Sequence, residues 1–188
     1  MSALPRPADP LPGPPTRWPE AANAAARVLS MADLQAWLAY QDFPGPAARA
    51  ENGETPLMRA ARRGDDRVVE ALLAHGADAC ALDDDGNGAL WFASLCGAPA
   101  TMRRLVHAGA PVDHANDDGI TCLMQAAASG WVEVMDLLLA LGATTRISAP
   151  DGRRAFDMAA DRGRELLRLA RGLSSAYPQC TSPKSMPP

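Results

Sequence analysis

Apolar and polar positions along this chain follow a helical rhythm that restarts every 33 residues. Within residues 51–83, Leu57, Ala60 and Ala61 place apolar groups on one face at helical spacing, and Val68, Val69, Leu72 and Leu73 form a second such stripe. Thr55-Pro56 predicts where the first helix starts: a hydroxyl cap, then a proline at the first helical position, where its missing N–H costs nothing. Gly64 and Gly76 end the two helices, at points where a left-handed residue is needed. Asp83-Asp84-Asp85-Gly86 predicts a tight turn into the next unit. Full units occupy 51–83, 84–116 and 117–149, and a partial unit occupies 150–172. Three glycine series keep the step: Gly53, Gly86, Gly119 and Gly152; Gly64, Gly97, Gly130 and Gly163; Gly76, Gly109 and Gly142. A fixed period of this length predicts a stacked array. One unit cannot bury both its helix faces alone, so neighbours must cover each other.

The flanks depart from the repeat. Residues 18–50 predict an N-terminal capping unit of two short helices, 21–29 and 33–40. Val28, Leu29, Leu34, Trp37 and Leu38 are its apolar anchors, and Phe43-Pro44-Gly45-Pro46 stops the second helix. Residues 1–17 are proline-rich and are expected to be disordered or polyproline-like. Pro7-Ala8-Asp9-Pro10 has PxxP spacing, but a plain solvated leader is the expectation. The tail, 173–188, contains Pro178, Pro183, Pro187 and Pro188 and is expected to be unstructured.

Composition narrows the class. The 188 residues are 47% hydrophobic and 21% charged, which suits a globular chain. A net charge of −4 offers no basic face for nucleic acid. Lys184 is the only lysine, and the arginine and alanine bias suggests a high-GC bacterial genome. The start lacks the apolar core of a signal peptide, and no stretch approaches the roughly 18 apolar residues of a membrane helix. The expected location is therefore the cytoplasm, with no membrane partner. Cys80, Cys96, Cys122 and Cys180 form no CxxC pair, and the first three differ in repeat phase, which fits reduced thiols.

Candidate chemistry is sparse. Asp83, Asp85 and Gly86 invite a calcium-loop reading, but Ala81 and Phe92 occupy positions where that loop needs oxygen ligands. His75, His107 and His114 share no phase and have no ligand spacing with the cysteines; surface or helix-end histidines are expected. Cys122 has two readings: a thiol activated by a helix N-terminus, or a small buried apolar residue in the place of proline. No nucleophile elbow, phosphate loop or dinucleotide fingerprint is present. No catalysis, cofactor, metal or small-molecule substrate is expected.

Thr55-Pro56-Leu57, the small pair Ala60-Ala61, the helix-ending glycines and Gly76-Ala77-Asp78, recurring in phase, resemble the ankyrin repeat family. The resemblance covers about residues 51–172 well and 18–50 loosely. It implies an all-α solenoid of helix-turn-helix units with hairpin finger loops on one side. It also implies protein–protein recognition through the finger tips and the shorter, inner helices. Departures are visible. Thr-Pro becomes Gly88-Ala89, Thr121-Cys122 and Arg154-Ala155 in the later units, so the second and last lack a hydroxyl cap. The family's frequent histidine is replaced by Met58, Trp91, Met124 and Asp157, so packing must substitute for its hydrogen bonds. Residues 162–171 are charged, as a terminal cap should be.

Carried onto this sequence, the resemblance implies finger contacts at Glu51, Asn52, Glu54, Asp84, Asp85, Asn87, Asp117, Asp118, Ile120, Asp151 and Arg153. The inner-helix contacts it implies are Arg59, Phe92, Gln125 and Met158, with the helix ends Arg62-Arg63, Leu95-Cys96, Ala128-Ser129 and Asp161-Arg162. Arg59, Arg62 and Arg63 would form a basic corner, and most internal fingers are acidic. Trp91 and Phe92 are adjacent on a helix and point differently: either one faces the groove as a binding hot spot, or both fill the space beside Gly88 and Ala89. The expectation is a protein-binding module, monomeric when free, that docks an intracellular partner as an adaptor or accessory protein. The alternative is an inhibitor or immunity protein that covers the active site of a basic partner.

Overall fold

A computed structural model describes the backbone of residues 29–176 and the side chains of 29–165. The leader, the predicted helix 21–29 except Leu29, and the tail beyond Ala176 lie outside these residues. The chain runs α1 (Met31–Tyr40), α2 (Pro56–Arg63), α3 (Asp66–Ala74), α4 (Ala89–Leu95), α5 (Pro99–His107), α6 (Cys122–Ser129), α7 (Val132–Ala140) and α8 (Ala155–Ala176). Helices α2, α4, α6 and α8 pack in succession as the inner layer. Helices α3, α5 and α7 each fold back on their own inner helix. Between units the chain makes hairpin fingers, closed at their bases by bridges between Leu82 and Gly88, Ala115 and Thr121, and Ser148 and Arg154.

Local chemistry sets the helix ends where the sequence places them. The Thr55 and Thr121 hydroxyls accept from the N–H groups of Met58 and Met124, each at 3.3 Å. Gly88 caps α4 without a side-chain bond. At α8 the missing hydroxyl is replaced from inside the helix: Asp157 accepts from the Arg154 N–H at 2.9 Å. Gly64 and Gly130 end α2 and α6 with φ of 67° and 77°. Their counterpart Gly163 ends nothing. Helix α8 continues through it to Ala176, past the boundary expected at 172, so among the described residues the last unit has no separate outer helix.

The core is the helical stripe repeated. Leu57, Leu90 and Leu123 are buried, as are Ala60, Ala61, Ala93, Ala126 and Ala127 between inner helices. Small residues there let neighbouring backbones approach closely. Val69, Leu72, Met102, Leu105 and Leu138 seal the outer layer. Across the outer layer, Arg104 of α5 grips Asp66 of α3 with two bonds of 3.0 and 2.9 Å and reaches Glu70 at 3.0 Å.

Stacking of the fingers explains the first glycine series. The Asp84 N–H donates to the Asn52 carbonyl, and the Asp117 N–H to that of Asp85, each at 3.1 Å. A Cβ on Gly53 would sit 2.6 Å from Asp84 Oδ1, and one on Gly86 would sit 2.5 Å from Asp117 Oδ1. The next donor position is Pro150, which has no N–H, so this backbone ladder stops there. Beyond it Gly152 has open space. His114 adds a tie that the sequence did not reveal, its Nε2 lying 2.8 Å from the Gly86 carbonyl.

Candidate protein-binding surface

The first unit's corner is ion-paired within itself, three arginines against the two carboxylates of Glu54 and Asp65. Glu54, expected at a finger tip, is only 3% exposed. Its carboxylate holds both neighbouring guanidinium groups, Arg59 through Oε2 and Arg62 through Oε1 at 3.0 Å. Each arginine also lies over an aromatic ring, Arg59 over Phe43 at 5.2 Å and Arg62 over Phe92 at 5.9 Å. Arg63 pairs with Asp65 at 3.0 Å. The expected basic corner is thus a locked ion-pair cluster between two aromatic rings, because the repeat places Glu54 beneath both arginines.

Phe92 and Trp91 diverge as helix geometry requires. Phe92 is half-buried and shares the repeat phase of Arg59 and Gln125. Trp91 is also half-buried, but it lines a small inter-unit cavity with His114, Asn116 and Cys122. Phe92 therefore presents part of its ring beneath Arg62, while Trp91 fills space between units. Leu95 is half-buried beside Phe92, one turn further along α4, and Cys96 is exposed at the helix end. On α6, Gln125 reaches the Ser129 hydroxyl at 3.4 Å. Ile120 is half-buried and packs on the core rather than projecting from its finger. Asn87 is likewise half-buried; it is held by Asp83 and takes a bond from Asn116 at 3.2 Å.

The finger tips carry the free charge. Asp83 spends its carboxylate on the N–H groups of Asp85 and Asn87, at 3.1 and 2.7 Å, closing the turn. Asp84, Asp85, Asp117 and Asp118 are exposed and make no side-chain hydrogen bond or ion pair among the described residues. In the last finger, bonds from the Arg153 N–H and guanidinium hold the Asp151 carboxyl below the usual range. The acidic ridge therefore spans two fingers and ends at a self-paired third.

The thiols are quiet. Cys122 is buried, and desolvation pushes its pKa up to about 11 despite a bond from Ser94 that lowers it. The activated-thiol reading fails because the helix N-terminus lies inside the inter-unit core, where no water supports a thiolate. Burial likewise raises Cys96, whose Sγ lies 3.3 Å from the Ala61 carbonyl. Among the described residues no group of three His, Cys, Asp or Glu side chains is placed to hold a metal, and no helix is long and apolar enough to cross a membrane.

Comparison with known proteins bears on the same residues. A family model for ankyrin repeats, in three copies, matches residues 24–116 and 93–175. The chain is similar to the ankyrin repeat domain-containing protein SAT10 of Stachybotrys chartarum, 37% identical over 93 residues, which is 50% of this chain and 5% of that protein. It is 36% identical over 86 residues to human ankyrin repeat domain-containing protein 63, covering 44% of this chain and 23% of that one. It is 34% identical over 114 residues to the Arabidopsis thaliana potassium channel AKT2/3, covering 61% and 14%. The chain thus spans less than a quarter of the length of each of these relatives. With the stacked units, their capped helix starts and the family match over most of its length, the chain belongs to the ankyrin repeat family.

Proposed function

We propose that this chain is a non-catalytic protein-binding module whose partner seats on the inner helices and fingers of units 84–116 and 117–149. Ankyrin repeats generally mediate protein–protein interaction. The observation that carries the assignment to these units is the contrast along the stack. In unit 51–83 Arg59 and Arg62 pair with Glu54 and Arg63 with Asp65, and in the last unit Arg153 pairs with Asp151. Between them lie a partly open Phe92–Leu95 shelf and four carboxylates without side-chain partners among the described residues. An apolar anchor within a charged rim is the anatomy of a binding hot spot. A preformed surface loses little entropy on docking.

The partner that fits is a protein with an apolar anchor and basic residues around it. This supports an adaptor or accessory role. It equally suits an inhibitor that covers a basic partner's active site, and the acidic ridge is the feature that favours that second reading. The test is affinity capture with the intact chain from its source cells, then titration calorimetry with the purified partner. Phe92→Ala should weaken binding at least tenfold with the helical circular dichroism retained. Reversal of Asp84, Asp85, Asp117 and Asp118 to lysine should slow association and invert its salt dependence. Unchanged binding in both variants would overturn the proposal.

A further inference from the structure

The fingers share one position that the first of them fills differently. Asn52 stands in phase with Asp85, Asp118 and Asp151, and each of the four precedes a glycine of the first series. The first finger thus carries a side-chain amide where the other three carry a carboxylate. A second Asn-Gly pair, Asn87-Gly88, lies out of phase with it. An asparagine before glycine can lose its amide, because glycine has no Cβ to keep its nitrogen away from the side-chain carbonyl carbon.

The fold treats the two pairs differently. Asn52 is exposed, and its Oδ1 accepts from the Glu54 N–H at 3.2 Å. That bond closes a ring containing the Gly53 nitrogen, so the side-chain carbonyl folds over the atom that must attack it. The Glu54 N–H also faces the oxygen on which negative charge develops during the attack. One bond has to open first, from the Gly53 N–H to the Ala50 carbonyl at 3.0 Å. Asn87, in contrast, is half-buried and tied at both ends of its amide. Its Nδ2 donates to Asp83 at 3.4 Å, and its Oδ1 accepts from Asn116 at 3.2 Å. Gly88 beside it bridges to Leu82 and caps α4. The last finger shows that a carboxylate fits the turn of the first: Asp151 Oδ1 accepts from the Arg153 N–H at 2.9 Å, the counterpart of the Asn52–Glu54 bond.

We infer that Asn52 is a deamidation site of the folded protein, while its fold spares Asn87. The Gly53 nitrogen gives its proton to hydroxide and bonds to Asn52 Cγ. The Cγ–Nδ2 bond breaks, and the nitrogen leaves as ammonia with a proton from water. Water then opens the cyclic imide. Opening at Cγ restores the peptide bond to Gly53 and leaves aspartate; opening at the main-chain carbonyl leaves isoaspartate, with the chain running through the side-chain carbon. The net change is one water in and one ammonia out, with no oxidation or reduction. Aspartate here extends the acidic ridge onto the first finger, beside Asp84, whose N–H donates to the Asn52 carbonyl. Isoaspartate displaces that carbonyl and loosens the tie between the fingers. The gain to the ridge rests on the proposed binding function; the chemistry does not.

The test needs no partner. The full-length chain is incubated at pH 8 in buffer and, in parallel, in urea. It is then digested, and mass spectrometry follows acid replacing amide in the two Asn-Gly peptides. In buffer Asn52 should convert, with Asn87 at least about tenfold slower because two side-chain bonds must break before it can turn. In urea the two rates should converge. On ion exchange a more acidic form should grow with time in wild type and not in Asn52→Gln. Asn52 staying intact in buffer while converting in urea would overturn the proposal, as would Asn87 converting as fast as Asn52 in buffer. Equal partner association by wild type and Asn52→Asp would count against the ridge alone.

Discussion

Replacing Gly86 by alanine separates the cost of a left-handed residue from the cost of breaking the finger stack. Gly86 has φ of 75°, a conformation that costs an L-residue roughly 1–2 kcal/mol. A Cβ there would also lie 2.5 Å from Asp117 Oδ1 and 2.9 Å from the Asp117 backbone nitrogen. The carboxylate can rotate away, but the backbone nitrogen cannot move without breaking its 3.1 Å bond to the Asp85 carbonyl. Losing that bond adds about 1 kcal/mol. Gly86→Ala should therefore destabilise by roughly 2–3 kcal/mol in total. Gly76→Ala is the internal control, with φ of 81° and nothing within 4 Å of the added Cβ, and should cost only the conformational part. Urea unfolding followed by circular dichroism at 222 nm measures both. Equal losses at the two positions would refute the idea that finger packing, rather than backbone conformation alone, selects glycine at 86.

Three further outcomes are expected. Glu54→Ala should destabilise by about 2 kcal/mol, because it leaves Arg59 and Arg62 stacked on rings without their shared counter-ion; a thermal melt with a change under 0.5 kcal/mol would show the cluster to be ornamental. Cys122 should make stability fall in alkali. Its native pKa is raised from 9.0 to about 11, so its contribution is complete below pH 9, shrinks as pH rises, and is gone above about pH 11. The full loss is about 3 kcal/mol, and Cys122→Ala should remove that slope from urea titrations across this range. In the folded protein a disulfide reagent at pH 8 should modify the exposed Cys80 and Cys96 well before Cys122; Cys122 reacting as fast as Cys96 would contradict the packed inter-unit core.

The array was legible from the first glycine onward. The apolar stripes, Thr55-Pro56 and the left-handed glycines are local signals, because helix starts, helix stops and buried faces are written in spacings of one to four residues. The acidic turn at 83–86 was legible for the same reason, since Asp83 closes it on its own neighbours. What each residue does across units was not. Glu54 looks like a finger acid in sequence, yet two arginines on the following helix enclose it. Cys122 occupies a position that favours a thiolate, until the neighbouring unit excludes water from it. Gly163 keeps the phase of its series, but among the described residues no outer helix packs back to require a turn, and α8 continues through it.

The sequence alone determined the period and the fold class, because these follow from local backbone preferences and from the need of each apolar face for cover. The tertiary structure alone decided which charges are spent and which remain free. Arg59 and Arg62 share the single carboxylate of Glu54, while Asp84, Asp85, Asp117 and Asp118 have no side-chain partner among the described residues. The fold sets these partners, some by turning a finger back onto its own helix, as with Glu54 and Arg59, and others, such as Arg62 with Phe92 and Arg104 with Asp66, by stacking residues about one repeat apart in sequence.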